Sequence, residues 1–186
     1  MTDLLKQYIK TNLELIDNSD FIILYDNLYL QPWYDSVGND VCQLTELLKS
    51  CGLDPLMHMK EVPEKYLYTS TQKSVIIPSG IEFIGRSAFE QMQDLEEIVI
   101  PSSCNVVNPR AFHSCPRMHT LTIMNPNIRI GNDAFLGCYG ICDVYFSGSL
   151  VQWKRNGVLH FHTMYTVHCT DGNYICTSMG TEIYEA

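Results

Sequence analysis

From residue 75 to residue 146 the chain repeats itself with a fixed step of 23 residues. The dipeptide Ala-Phe occurs at Ala88-Phe89, Ala111-Phe112 and Ala134-Phe135 and nowhere else. Other columns keep the same step: Val75, Ile98, Leu121 and Val144; Ile77, Ile100, Ile123 and Phe146; Ile84, Val107 and Ile130; Leu95, Met118 and Ile141; Met92, Cys115 and Cys138. Apolar columns held in register without an insertion predict a solenoid, in which each repeat is one coil stacked on the last.

Stacking explains the residue types. Each coil holds a short strand with its inward residues two apart, as Ile98 and Ile100 are, and strands of successive coils pair about 4.8 Å apart. Equivalent side chains then lie on one another, so an inward column has to be apolar throughout. Pro78 and Pro101 follow the strands and bring no amide proton to extend the ladder. The Ala column marks close approach of adjacent coils, and the neighbouring Phe fills the coil interior.

The pattern Leu95-x-x-Ile98-x-Ile100-Pro101, with Ile84-Gly85-x-x-Ala88-Phe89 and the Ala-Phe-x-x-Cys runs ending at Cys115 and Cys138, resembles the BspA-type (Treponema-type) leucine-rich repeat. The tail, from Tyr145-Phe146 through Gln152-Trp153-Lys154 to Asp171-Gly172, is similar to the ending of such arrays in bacteriophage and gut-bacterial proteins. The resemblance implies an α/β repeat solenoid used for binding, over about residues 60–172. Asn108-Pro109 departs from Gly85-Arg86 of the first coil, and Met124 and Asn127 replace a proline and an apolar residue.

Three parts are expected. Residues 1–60 read as an α-helical N-terminal cap, with an amphipathic stripe through Leu5, Tyr8, Ile9, Leu13 and Ile16 and a later helix from Asn39 to Cys51. Residues 61–149 are the solenoid, with a degenerate coil at 61–74, where Tyr66 keeps the aromatic column, and full coils at 75–97, 98–120 and 121–143. Residues 150–186 form a C-terminal cap, in which the period is lost, 150–155 make a helical turn, and the alternating strands around Asp171-Gly172 make a β-hairpin.

The net charge of −9 argues against a general binder of nucleic acids or anionic membranes, both of which need a basic surface. Eleven Asp/Glu against four Lys fall in residues 1–64. The longest early apolar run, Phe21 to Tyr25, is too short for a signal core or a membrane span. The eight cysteines are therefore expected as free thiols in a reducing cytoplasm.

Chemistry finds little support. His160, His162, His168 and Cys169 could hold zinc, but their spacing fits no zinc signature and a cap accounts for them. No phosphate loop, nucleophile elbow or carboxylate pair occurs. Cys115 with His113 or His119 is conceivable as a thiol–histidine pair, yet Cys115 lies in a core column. No catalytic residue, cofactor or metal is expected. The outward residues of the strands remain: Ile76, Glu97, Val99, Thr120, Thr122, Asp143 and Tyr145, flanked by His119, on the inner curve that solenoids offer to partners. The competing surface is the acidic segment with Asp17, Asp20, Asp26, Asp35, Asp40 and Glu46.

The expectation is a non-enzymatic protein-interaction module. The resemblance to phage arrays implies a bacterial host protein as partner, with inhibition of an antiphage defence system as its sharpest form. The alternatives are an adhesin-like surface module and, more distantly, an acidic nucleic-acid mimic or a metal-dependent enzyme. Direct nucleic-acid or membrane binding is not expected, and the oligomeric state is open.

Overall fold

A computed structural model describes residue 56, residues 59–156 and 164–177, and the backbone of residues 182–185. The helices expected in residues 1–55, and His160 and His162, lie outside the described residues. The strands are β1 (Glu61–Val62), β2 (Ser74–Ile76), β3 (Phe83–Ile84), β4 (Glu97–Ile100), β5 (Val106–Val107) and β6 (Thr120–Ile123). They continue with β7 (Arg129–Ile130), β8 (Asp143–Phe146), β9 (Tyr165–Cys169), β10 (Gly172–Cys176) and β11 (Glu182–Glu185), with one helix, α1 (Leu150–Arg155), between β8 and β9.

The chain is a β-solenoid of about four turns with a step of about 23 residues. Each coil gives one strand to a large sheet, ordered β11-β10-β9-β8-β6-β4-β2, and one to a small sheet, ordered β1-β3-β5-β7. Parallel pairing aligns Val75 with Ile98, Ile98 with Leu121 and Leu121 with Val144, the column read from the sequence. All four are buried.

The Ala-Phe segments explain why these coils carry no helix among the described residues. Phe89 N–H donates to the Ala111 carbonyl at 2.7 Å and Phe112 N–H to the Ala134 carbonyl at 2.8 Å, so amides that bond to the next turn alternate with tight turns such as Glu90 N–H to the Ser87 carbonyl, and no run of i→i−4 bonds forms. A left-handed residue brackets each segment on both sides: Ser87 and Gln91, Arg110 and Ser114, Asp133 and Gly137. Two such residues four positions apart cannot belong to one right-handed helix. The α/β expectation thus narrows to β-strands joined by stacked turns.

Stacking brings the rings face to face, with centroids 5.0 Å apart for Phe89–Phe112 and 5.1 Å for Phe112–Phe135. The cysteine column has a polar use as well. Cys115 Sγ donates to the Phe89 carbonyl at 3.2 Å and Cys138 Sγ to the Phe112 carbonyl at 3.0 Å, each reaching back to the preceding coil.

Three details differ from the sequence reading. At the N-terminal end the step is 22 residues: Glu61 pairs with Phe83 and Val62 with Ile84. Lys65 and Thr69 are left-handed, as Ser87 and Gln91 are, which puts Leu67 in the phenylalanine column and Tyr66 in the alanine column. Tyr66 is still buried, edge-on to Phe89 at 6.1 Å. In the third full coil, Asn125 turns the chain: its Oδ1 accepts from Asn127 N–H at 2.9 Å and its Nδ2 donates to the Cys104 carbonyl at 2.8 Å. Ile128, one position later than the period asks, supplies the buried apolar group.

The third detail lies after Phe146, where the sequence columns predict loss of the period. The strand ladder keeps it for one more step, pairing Asp143 with Thr166, Val144 with Val167 and Tyr145 with His168. Only the Ala-Phe half is replaced, by α1. Ser149 accepts from Gln152 N–H and the Gln152 side chain accepts from Ser149 N–H, a reciprocal cap that starts the helix. Its Trp153 packs against Phe146 at 5.2 Å. β10 then pairs antiparallel with β9 across the turn at Thr170-Asp171, and Asp171 Oδ1 accepts from Leu150 N–H at 2.8 Å, tying that turn to α1.

Candidate protein-binding face

Strand alternation decides what the large sheet shows outward. With Ile98 and Ile100 inside, Glu97 and Val99 face out, and the register repeats this from β2 to β9. Two adjacent columns result. One is Ser74, Glu97, Thr120, Asp143 and Thr166; the other is Ile76, Val99, Thr122, Tyr145 and His168. The structure therefore brings Ile76, Glu97, Val99, Thr120, Thr122, Asp143 and Tyr145 onto one face. His119 is exposed at its border, where its N–H bonds the Glu96 carbonyl and its Nδ1 lies 3.0 Å from Thr120 Oγ1.

The apolar members are open to solvent. Ile76 is 81% exposed, Val99 46% and Tyr145 47%. Sequence reasoning missed Thr166 and His168, although each lies one step of 23 beyond Asp143 and Tyr145. His168 stacks on Tyr145 with ring centroids 4.7 Å apart. Its Nε2 lies 2.9 Å from Asp143 Oδ1 and its Nδ1 3.2 Å from Asn173 Oδ1. The hydrogen bond from His168 holds the Asp143 carboxyl below its ordinary range, against the opposing effect of burial. At the border Lys73 Nζ lies 2.9 Å from Glu96 Oε1 and lowers that carboxyl too.

Among the described residues, no histidine makes a nucleophile–base relay. Cys115 is buried, its thiol donates to a carbonyl, and its pKa is pushed up by the neighbouring Cys138 thiol and by burial. Ser114 Oγ and Glu90 Oε1 both approach the same nitrogen of His113, Nδ1, at 2.9 and 3.4 Å. A triad needs serine and acid on opposite nitrogens. Cys142 is exposed near Asp143 and His119, but burial and the Asp143 carboxylate raise its thiol, the opposite of activation. Among the described residues no group of three or more His, Cys, Asp or Glu is placed to hold a metal ion, and no helix is long and apolar enough to cross a membrane.

A family profile described as the BspA type leucine rich repeat region matches residues 60–174 in six copies. The chain belongs to this BspA-type leucine-rich-repeat family. A similar solved structure is a leucine-rich repeat protein from Bacteroides ovatus, 26% identical, with 60% of this chain and 28% of that chain covered and a TM-score of 0.49. The BspA-type chain thus spans less than a third of that protein's length. No curated protein matches it. Leucine-rich repeats are generally protein-interaction modules, and the family is typically non-enzymatic.

Proposed function

We propose that this BspA-type array is a non-enzymatic module that docks another protein on the outward face of β2, β4, β6, β8 and β9. The observation that carries it is the aligned pair of columns, in which Ile76, Val99 and Tyr145 remain solvent-exposed beside Glu97 and Asp143. Exposed apolar and aromatic groups on a rigid sheet match what interface centres use. The strands β9, β10 and β11 serve as the cover that keeps the last coil's edge from pairing with other chains.

The partner in this reading is a bacterial host protein met in the cytoplasm, and inhibition of an antiphage defence is its sharpest form. Its support is the likeness of the tail to phage-encoded arrays. The thiols of Cys115 and Cys138, each engaged with a carbonyl, also suit a reducing compartment. The test places a photo-cross-linking residue at Val99 or at Asp26 in otherwise intact protein and exposes each to bacterial lysate. A specific adduct from Val99, lost with Tyr145→Ala, supports the sheet face. Adducts only from Asp26 move the contact to the acidic N-terminal segment.

A further inference from the structure

The two outward columns are chemically one-sided. Neither contains a lysine or an arginine, whereas Glu97 and Asp143 occupy one of them with Thr120 between. The base beside the face, Lys73, is committed to Glu96, and His168 approaches Asp143 through Nε2 and Asn173 through Nδ1. Glu97 is exposed and has no ion pair among the described residues. Next to Asp143, the Tyr145 ring has His168 against one face, while the short Thr122 is its neighbour on the other side. The Tyr145 ring, 47% exposed, can seat a cation with a carboxylate alongside.

Spacing narrows the occupant. Glu97 and Asp143 are two strands apart, about 10 Å along the array. Same-face side chains of a flat extended strand recur at about 7 Å or 14 Å and miss this distance. In a polyproline-II segment, residues i and i+3 share a face about 9 Å apart and meet it.

Resting on the docking-face reading above, we infer that the sheet face receives a basic, left-handed extended segment of a partner protein. Arginines three residues apart meet Glu97 and Asp143, and an apolar side chain lies on Val99 and Ile76. Asp143 is already held in place by His168, so it is ordered before the partner arrives.

The test titrates the full chain with fluorescein-labelled Arg-Pro-Pro-Arg-Pro-Leu and with analogues carrying glutamine or glutamate at both arginine positions, read by anisotropy. The arginine peptide is expected to bind about tenfold tighter than the glutamine peptide, as two exposed ion pairs allow. Glu97→Gln with Asp143→Asn should erase that difference, while Glu82→Gln, off the face and paired with Lys60, leaves it intact. Equal loss with Glu82→Gln would reveal a mere net-charge effect and overturn the inference. Arginine and glutamine peptides that bind alike, both lost with Tyr145→Ala, would overturn the basic specificity and leave the docking face standing. Binding that no variant on this face alters would overturn both. All three variants change exposed or half-buried side chains, and an unchanged circular dichroism spectrum confirms the fold.

Discussion

Opposite sides of the same coils treat charge in opposite ways. On the turn side, Glu90 has a side chain only 6% exposed, and Arg110 and His113 from the next coil close on it. Burial would push its carboxyl up, but hydrogen bonds from Arg110 and Ser87 and the Arg110 charge outweigh burial, and the net direction is down. On the sheet side, Glu97 is exposed without an ion pair among the described residues, and Asp143 is held from one flank by His168. Charges satisfied between coils hold the array together. Charges left facing water are the ones a partner can use.

The largest expected effect breaks the turn side. Phe112→Ala removes the middle ring of the stacked column and should cost about 3–5 kcal/mol, enough to unfold so short an array. An unchanged thermal midpoint would mean that the ring stack does not support the fold. Glu90→Ala should cost about 2 kcal/mol, through loss of charged hydrogen bonds. Because the folded-state pKa of Glu90 lies below its ordinary value of 4.5, its stabilisation is fully present above that value and is lost as pH falls through the depressed one. Chemical denaturation at graded acid pH should therefore show a shallower fall for Glu90→Gln than for the parent.

The sheet side should behave in reverse. Tyr145→Ala should leave the midpoint nearly unchanged and weaken partner binding by about 2 kcal/mol. A large loss of stability instead would make the Tyr145–His168 stack structural. The smallest effect concerns thiols. In the folded protein Cys142 should react with a thiol reagent well before Cys115 and Cys138, and all eight cysteines should react after denaturation without reductant. Protection of Cys142 in the native state would argue that its edge of the sheet is covered.

The middle of the solenoid was legible because its columns are chemically pure: Ala88, Ala111 and Ala134 tolerate no other reading. The N-terminal step was not, because Tyr66 and Leu67 are both apolar and either fits an aromatic or aliphatic column. The shift is recorded in the backbone, by left-handed Lys65 and Thr69, which are not residue types that advertise it. Ile128 escaped for a similar reason, since a side-chain amide turn at Asn125 absorbs one residue between columns. The seven face residues followed from alternation alone, with His119 at their border. His168 did not, because the loss of Ala-Phe after the third full coil hid a strand that still kept step.

That fifth parallel strand, with the antiparallel pair beyond it, makes the array extensible from within. An in-frame duplication of residues 97–119 would insert one coil whose strand finds a β4-like neighbour on one side and β6 on the other, since those two are already parallel partners in register. Neither end would have to change. The outward face would lengthen by about 4.8 Å and gain one more acidic and one more apolar position. Reach is therefore a discrete, heritable dimension of this protein, set by copy number rather than by remodelling any contact.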